Sequence, residues 1–279
     1  MYSAVASRQT PLASARSAPS VARMLGNETS KGLILLWDNR RTFLPELGAL
    51  LVFYFLIQFL VGGGRVVPAL FAPTLLAFGF YTLLYIVTLK MVAGTLQEMN
   101  HGTLEQIHLS PLPSWALSLG RVASAAIEAV AVIAVLGGVL IPLLGIRFSY
   151  QLAAVVPLLL TLVGVAGFGL LLGALAIRVN TIGAILHVLQ GIIVFLNGSF
   201  VPVNLYPAGL RLLADLMPTT LGVQVTRKLL LQGGSLASAW SDQSLVWLLL
   251  HSFALLILGA VACELTIRRA LREGRLGPR

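Results

Sequence analysis

Long apolar runs separated by short polar segments lay out the plan of this chain. Six of them, near 44–62, 70–90, 119–144, 152–177, 182–200 and 245–267, reach the ~20 residues that carry an α-helix across a bilayer. The fourth is longer than an upright helix needs, and Pro157 near its start predicts a bend or a late entry. No series of short alternating segments suggests a membrane β-barrel. The pattern predicts an all-α membrane protein with six transmembrane helices.

The segments between the runs are as informative. In residues 31–43, Leu33, Leu36, Trp37, Phe43 and Leu44 make one helical face, and Asp38, Asn39, Arg41 and Thr42 the other, with Arg40 interrupting the apolar side. That pattern predicts a helix lying in the membrane interface. Between the second and third runs, Thr103 followed by Gln106 forms a capping-box pattern, so a short helix starts there. Leu104 and Ile107 share its apolar face with Glu105 and His108 beside them, and Ser110-Pro111-Leu112-Pro113 ends it. A short capped helix with exposed apolar residues suits a groove in another protein. From Ser199 to Ser244, Pro202, Pro207 and Pro218 divide the chain, and Leu210, Leu213, Ala214 and Met217 form a stripe with Arg211 and Asp215 opposite. Irregular backbone at membrane depth survives only inside protein or beside water. A pair of short re-entrant helices is therefore expected before the last span. The expected divisions are a disordered tail at 1–30, an interfacial connecting helix at 31–43, a transmembrane domain at 44–267 and a basic tail at 268–279.

Composition agrees. The 279 residues are 57% hydrophobic and 10% charged, with mean hydropathy +0.91, against about 25% charged in soluble domains. The net charge of +9 is not a nucleic-acid signal here, because in a membrane protein the basic residues set topology. With both termini inside, Arg8, Arg16, Arg23, Lys31, Arg40, Arg41, Lys90, Arg121, Arg178, Arg268, Arg269, Arg272, Arg275 and Arg279 fall on the inner side, 14 of 19. Arg65, Arg147, Arg211, Arg227 and Lys228 remain outside. This orientation places residues 102–121 in the cytoplasm. Cys263, alone and within an apolar run, reads as a packing residue.

Gly102-Thr103-Leu104-Glu105-Gln106-Ile107 with Ser110-Pro111-Leu112 resembles the cytoplasmic loop of ABC type-2 transporter permeases, the membrane subunits of one exporter class (type V). Gly198-Ser199-Phe200-Val201-Pro202, Leu210, Pro218 and Arg227 resemble that family's segment before its last span. The resemblance implies that the loop couples to an ATP-binding subunit, with Glu98 the one charge in a 97–101 stretch that is usually richer in charge. It implies two permease copies, as a homodimer or with a related chain, above two ATPase subunits that bind ATP and Mg. Pro202, Leu210, Pro218 and Arg227 become the extracellular gate. The expected location is the cell inner (plasma) membrane, multi-pass, with surrounding membrane lipid and no nucleic acid.

Catalysis by the chain itself is not expected. It has no phosphate-loop glycine-lysine motif and no clustered zinc ligands, so neither cofactor nor metal is expected on it. Ser199 with His187 or His251 is a weak imitation of a hydrolase. Glu128 stands inside the third run, where a bare carboxylate costs about 2.5–3.5 kcal/mol. It and His187, Gln190 and Asn197 of the fifth run are candidates for a substrate path; a hydrogen-bonded structural carboxyl is the other account of Glu128, and interhelical hydrogen bonding is the simpler account of the polar three. The sparse intramembrane charge favours a hydrophobic or amphipathic cargo such as a drug, lipid or natural product. Export of a polysaccharide or glycolipid is an alternative, and so is an ion-coupled secondary transporter using Glu128 and His187. Glu264 with Arg268 reads as an interfacial ion pair, and Gly169 with Gly173 as a close helix crossing.

Overall fold

A computed structural model describes residues 26, 27, 29–31, 34, 37, 38, 40–100, 114–149, 151–179, 182–201 and 203–272. The tail before residue 26, the loop residues Gly102 to Leu112, Pro202, Arg275 and Arg279 lie outside the described residues. Among those described there are only helices and turns. In chain order they are α1 (Arg40–Val61), α2 (Phe71–Asn100), α3 (Ser114–Leu144), α4 (Val155–Arg178), α5 (Ile182–Leu196), α6 (Ala208–Asp215), α7 (Thr220–Leu231), α8 (Leu236–Ser241) and α9 (Ser244–Arg272). Lys31, Ile34, Trp37 and Asp38 are also helical, and all four are exposed.

Among the described residues five segments are long and apolar enough to cross a bilayer: Phe43–Val61, Pro68–Asn100, Ser118–Leu144, Leu152–Arg178 and Ser244–Ala270. The fifth predicted run departs from expectation. α5 has 15 residues, about 22 Å at 1.5 Å per residue, against a hydrocarbon core of roughly 30 Å. Its end is local chemistry. Gly198 takes a left-handed backbone with φ 86°, and the Asn197 carboxamide accepts from the Ser199 amide at 3.0 Å and hydroxyl at 2.7 Å. A left-handed glycine beside a side-chain-capped turn ends a helix. Pro157 is the third residue of α4, where the amide it lacks would have had no helical partner. It marks the late entry expected of that run.

α2 is the central helix. It packs on α3 and α4, and α4 packs most extensively on α9. Phe53 and Tyr54 of α1 meet Phe78 of α2 with ring centroids 6.0 and 5.7 Å apart. In lipid there is no hydrophobic force between helices, so small residues that allow close backbone approach carry the packing. α4 shows this twice. Gly169 and Gly173 face Met91 and Thr95 of α2, so the predicted crossing joins helices of the same chain. On its other side α4 meets α9 backbone to backbone. A Cβ on Gly167 would lie 2.3 Å from the Leu255 carbonyl carbon, and one on Gly259 would lie 2.1 Å from the Gly167 oxygen. The outward faces stay apolar, with Val52 and Leu60 of α1, Val139 and Leu143 of α3, and Trp247 and Ile257 of α9 all exposed.

Backbone contact at Gly167 and Gly259 leaves no room for a side chain. Gly167→Leu or Gly259→Leu should destabilise the protein by more than the about 1–3 kcal/mol of ordinary overpacking. Gly48→Leu, where a Cβ meets nothing within 4 Å, should be neutral. Thermal unfolding in detergent followed by size-exclusion chromatography checks the three variants.

Candidate coupling and pathway site

The segment from 101 to 113 joins α2 to α3, so the ends of these two helices position whatever it carries. Two ion pairs hold them together. Glu98 near the end of α2 pairs with Arg121 of α3. Eight residues back along α2, Lys90 meets Glu128 of α3 at 3.1 Å. The antiparallel register makes the polarity cross, with cation above anion on α2 and the reverse on α3. At 1.5 Å per residue the two clasps sit about 11 Å apart. Gly94 lies between them, and a Cβ there would come within 2.8 Å of Arg121 Nε. The missing side chain is the space the guanidinium occupies.

Glu128 is therefore not bare. It is 8% exposed and salt-bridged. Its partner is half-exposed: the Lys90 side chain retains 47% of its surface. A third charge joins them. Glu46, three residues into the first span, lies within electrostatic reach of both Lys90 and Glu128. Sequence reading passed over Glu46 and took Lys90 only as a topology marker. The available signal was that three charges fall near the same end of three apolar helices.

The buried polar residues of α5 and of the turn after it go to α2. The Gln190 amide donates to Thr88 Oγ1 at 3.0 Å and to the Tyr85 carbonyl at 3.3 Å. Asn197, fully buried, donates to the Ala77 carbonyl at 3.1 Å. Their spacing of seven does put both on one face, and that face grips the central helix. His187 is exposed and does not share the setting. Ser199 gives its hydroxyl to Asn197, while His251 Nε2 contacts the Leu216 carbonyl at 3.2 Å, so no nucleophile–base pair forms. Among the described residues no group of three or more His, Cys, Asp or Glu is placed to hold a metal.

At the opposite end of the bundle Arg227 of α7 is the organising group. Its Nη2 donates to the carbonyls of Gly198 at 2.6 Å and Pro73 at 2.9 Å. One guanidinium thus ties the turn after α5 to the start of α2. Burial pushes its pKa below the ordinary arginine value, with nearby Tyr206 acting the other way; arginine stays charged throughout. Pro218 is buried in the turn between α6 and α7. The predicted stripe on α6 is turned outward: Leu210 and Leu213 are 41% and 51% exposed, and only Ala214 is buried. Arg211 and Asp215 do approach, at 4.0 Å. Glu264 and Arg268 pair at 2.7 Å, and Cys263 is buried.

The ABC-2 type transporter family model matches residues 28–231. The chain belongs to this family. No curated protein matches it. This ABC-2 chain is thus a multi-pass membrane protein and a transport subunit, of a family that normally works with an ATP-binding subunit and is generally not catalytic itself.

Removing one member of a buried ion pair leaves the other charge stranded. Lys90→Met should cost about 2–3 kcal/mol, below the ~3–5 of a fully buried pair because Lys90 is half-exposed. Glu128→Gln should cost less, since it leaves only a partly solvated ammonium. Arg227→Met gives up two charge-assisted bonds, a loss on the order of 3 kcal/mol. Detergent melting curves of the three variants check that order.

Proposed function

We propose that this chain is the translocating subunit of an ATP-driven exporter, with segment 101–113 as the contact to its ATPase. The observation that carries the reading is the double clasp of α2 to α3. A loop suspended between two helices joined at Glu98–Arg121 and Lys90–Glu128 passes a push to both helices together. Gly102, Thr103, Leu104, Glu105, Gln106, Ile107, Ser110, Pro111 and Leu112 supply the docking surface. Glu98 acts here as a brace within the subunit, which differs from the direct ATPase contact that the family resemblance implies.

In this proposal two permease copies stand over two ATPase subunits, with both termini and the Arg121 end in the cytoplasm. α5, with the turn that follows it, completes a six-span layout, and α6 to α8 cap the outer end as re-entrant helices. ATP binding and hydrolysis on the partner tilt the spans, and a central path opens outward past Leu210, Pro218, Arg227 and Pro202. Inverting the populations of two states from 1:99 to 99:1 takes about 5.5 kcal/mol of differential binding, and the ATPase supplies it. The cargo is hydrophobic or amphipathic, since Gln190 and Asn197 are spent on α2 and Glu128 on Lys90. The same pairing argues against an ion-coupled route through Glu128 and His187.

Mild-detergent purification of the tagged chain should bring down a soluble protein with a phosphate loop, in equal amount. With that partner present, Leu104→Asp combined with Ile107→Asp should leave expression intact and reduce ATP hydrolysis to the rate of the ATPase alone. Full substrate-stimulated hydrolysis in the double variant would overturn the coupling assignment.

A further inference from the structure

The bundle does not close on the flank formed by α2, α3 and the start of α4, beneath α7. A cavity of about 410 Å³ lies there, within the roughly 300–1,000 Å³ of small-molecule sites. Leu75, Phe78 and Phe80 form a buried floor, while Ala134, Gly138 and Val155 are exposed at the mouth. These mouth residues belong to membrane spans, so the opening faces sideways at apolar depth. Along α3 the lining runs from Ile133 to Ile141, about 12 Å of helix.

Glycines keep this space open, and they differ from those that bring helices together. A Cβ on Gly79 would stand 3.7 Å from Ile133, one on Gly137 3.7 Å from Ile141, and one on Gly138 would meet nothing within 4 Å. At Gly167 and Gly259 the missing side chain is replaced by another backbone; here it is replaced by a void.

The one polar group of note in the lining is also unsatisfied. Thr226 is 4% exposed, and its hydroxyl has no hydrogen-bond partner. The buried Thr82, Thr88, Thr95 and Thr161 differ, because each donates back to a carbonyl one turn earlier; Thr219 and Thr220 also lack a partner, but neither lines the cavity. Phe148 lines the same end of the cavity, and the Ser149 amide pins that loop to the Leu230 carbonyl of α7 at 3.0 Å. Arg147 precedes Phe148 in the chain and is exposed.

We propose that this cavity holds one acyl chain of a glycerophospholipid from the leaflet at the Arg227 end. The Thr226 hydroxyl, itself covered, turns about χ1 to donate to the ester carbonyl, and Arg147 lies at the level of the phosphate. A lateral mouth admits a molecule already in the hydrocarbon. Apolar walls with a single donor suit a tail with one ester, and the exposed Arg147 next in sequence to the lining Phe148 suits an anionic headgroup. The proposal rests on the membrane placement of the bundle and not on the exporter reading, so either can fail alone.

The test uses the full chain in lipid nanodiscs containing phosphatidylglycerol with a photoactivatable acyl chain, with labelled peptides mapped by mass spectrometry. Label should concentrate in residues 75–80 and 133–141, several-fold above the exposed α9 face around Trp247 and Ile257. Gly138→Phe, which fills the space, should remove that excess and leave the α9 label unchanged. Thr226→Val keeps the volume and should lower the excess through loss of the hydroxyl alone. Equal labelling of all exposed faces, or an excess that survives both substitutions, would reduce the site to ordinary surrounding lipid and overturn the proposal. If Gly138→Phe does not elute as folded protein, Thr226→Val decides the matter.

Discussion

α2 depends on polar contacts at both of its ends, and the rest of the bundle is arranged around that fact. Apolar helices gain little by meeting one another in lipid, because the tails are as apolar as leucine. Contacts that cannot be made with lipid therefore choose the neighbours. At one end α3 supplies Arg121 and Glu128 to Glu98 and Lys90. Near Lys90, α5 supplies Gln190 to Thr88; at the other end the turn after α5 supplies Asn197 and α7 supplies Arg227. Elsewhere packing is left to shape, with aromatic rings against α1 and the glycines of α4 beside Met91 and Thr95.

Sequence pattern could reveal the spans because their defining property, apolar length, is local. It could reveal the face shared by Gln190 and Asn197 for the same reason, since helical spacing is local too. It could not say what that face meets. In a soluble helix a polar face points to water, whereas in a membrane helix it points to whichever neighbour offers a partner. That choice depends on the packing of three or more segments. His187 shows the limit: it sits on the same helix as Gln190 but is exposed. The end of α5 was misplaced because apolar residues continue past it, and the Asn197-Gly198-Ser199 turn outweighs them. Glu46 was passed over because its position near the end of the first run resembles an ordinary interfacial charge. Only with α2 and α3 beside it does it come within electrostatic reach of Lys90 and Glu128.

The two kinds of glycine separate in the same way. In the sequence Gly138 and Gly167 are both small residues in apolar runs. In the fold one leaves a void and the other admits a backbone. Composition cannot distinguish them, because the difference lies in what stands opposite.

The crossing of α4 and α9 has a mechanical meaning. Two helices touching through bare backbone have no side chains between them to yield, so they behave as one stiff post. α2 and α3, clasped by their ion pairs, form a second rigid body. The seam between the two bodies runs along Gly169 and Gly173, where Met91 offers an unbranched, pliable surface to flat glycine. Smooth glycine against pliable methionine resists sliding less than interlocked side chains do, so a tilt of one body on the other would meet least resistance along that line.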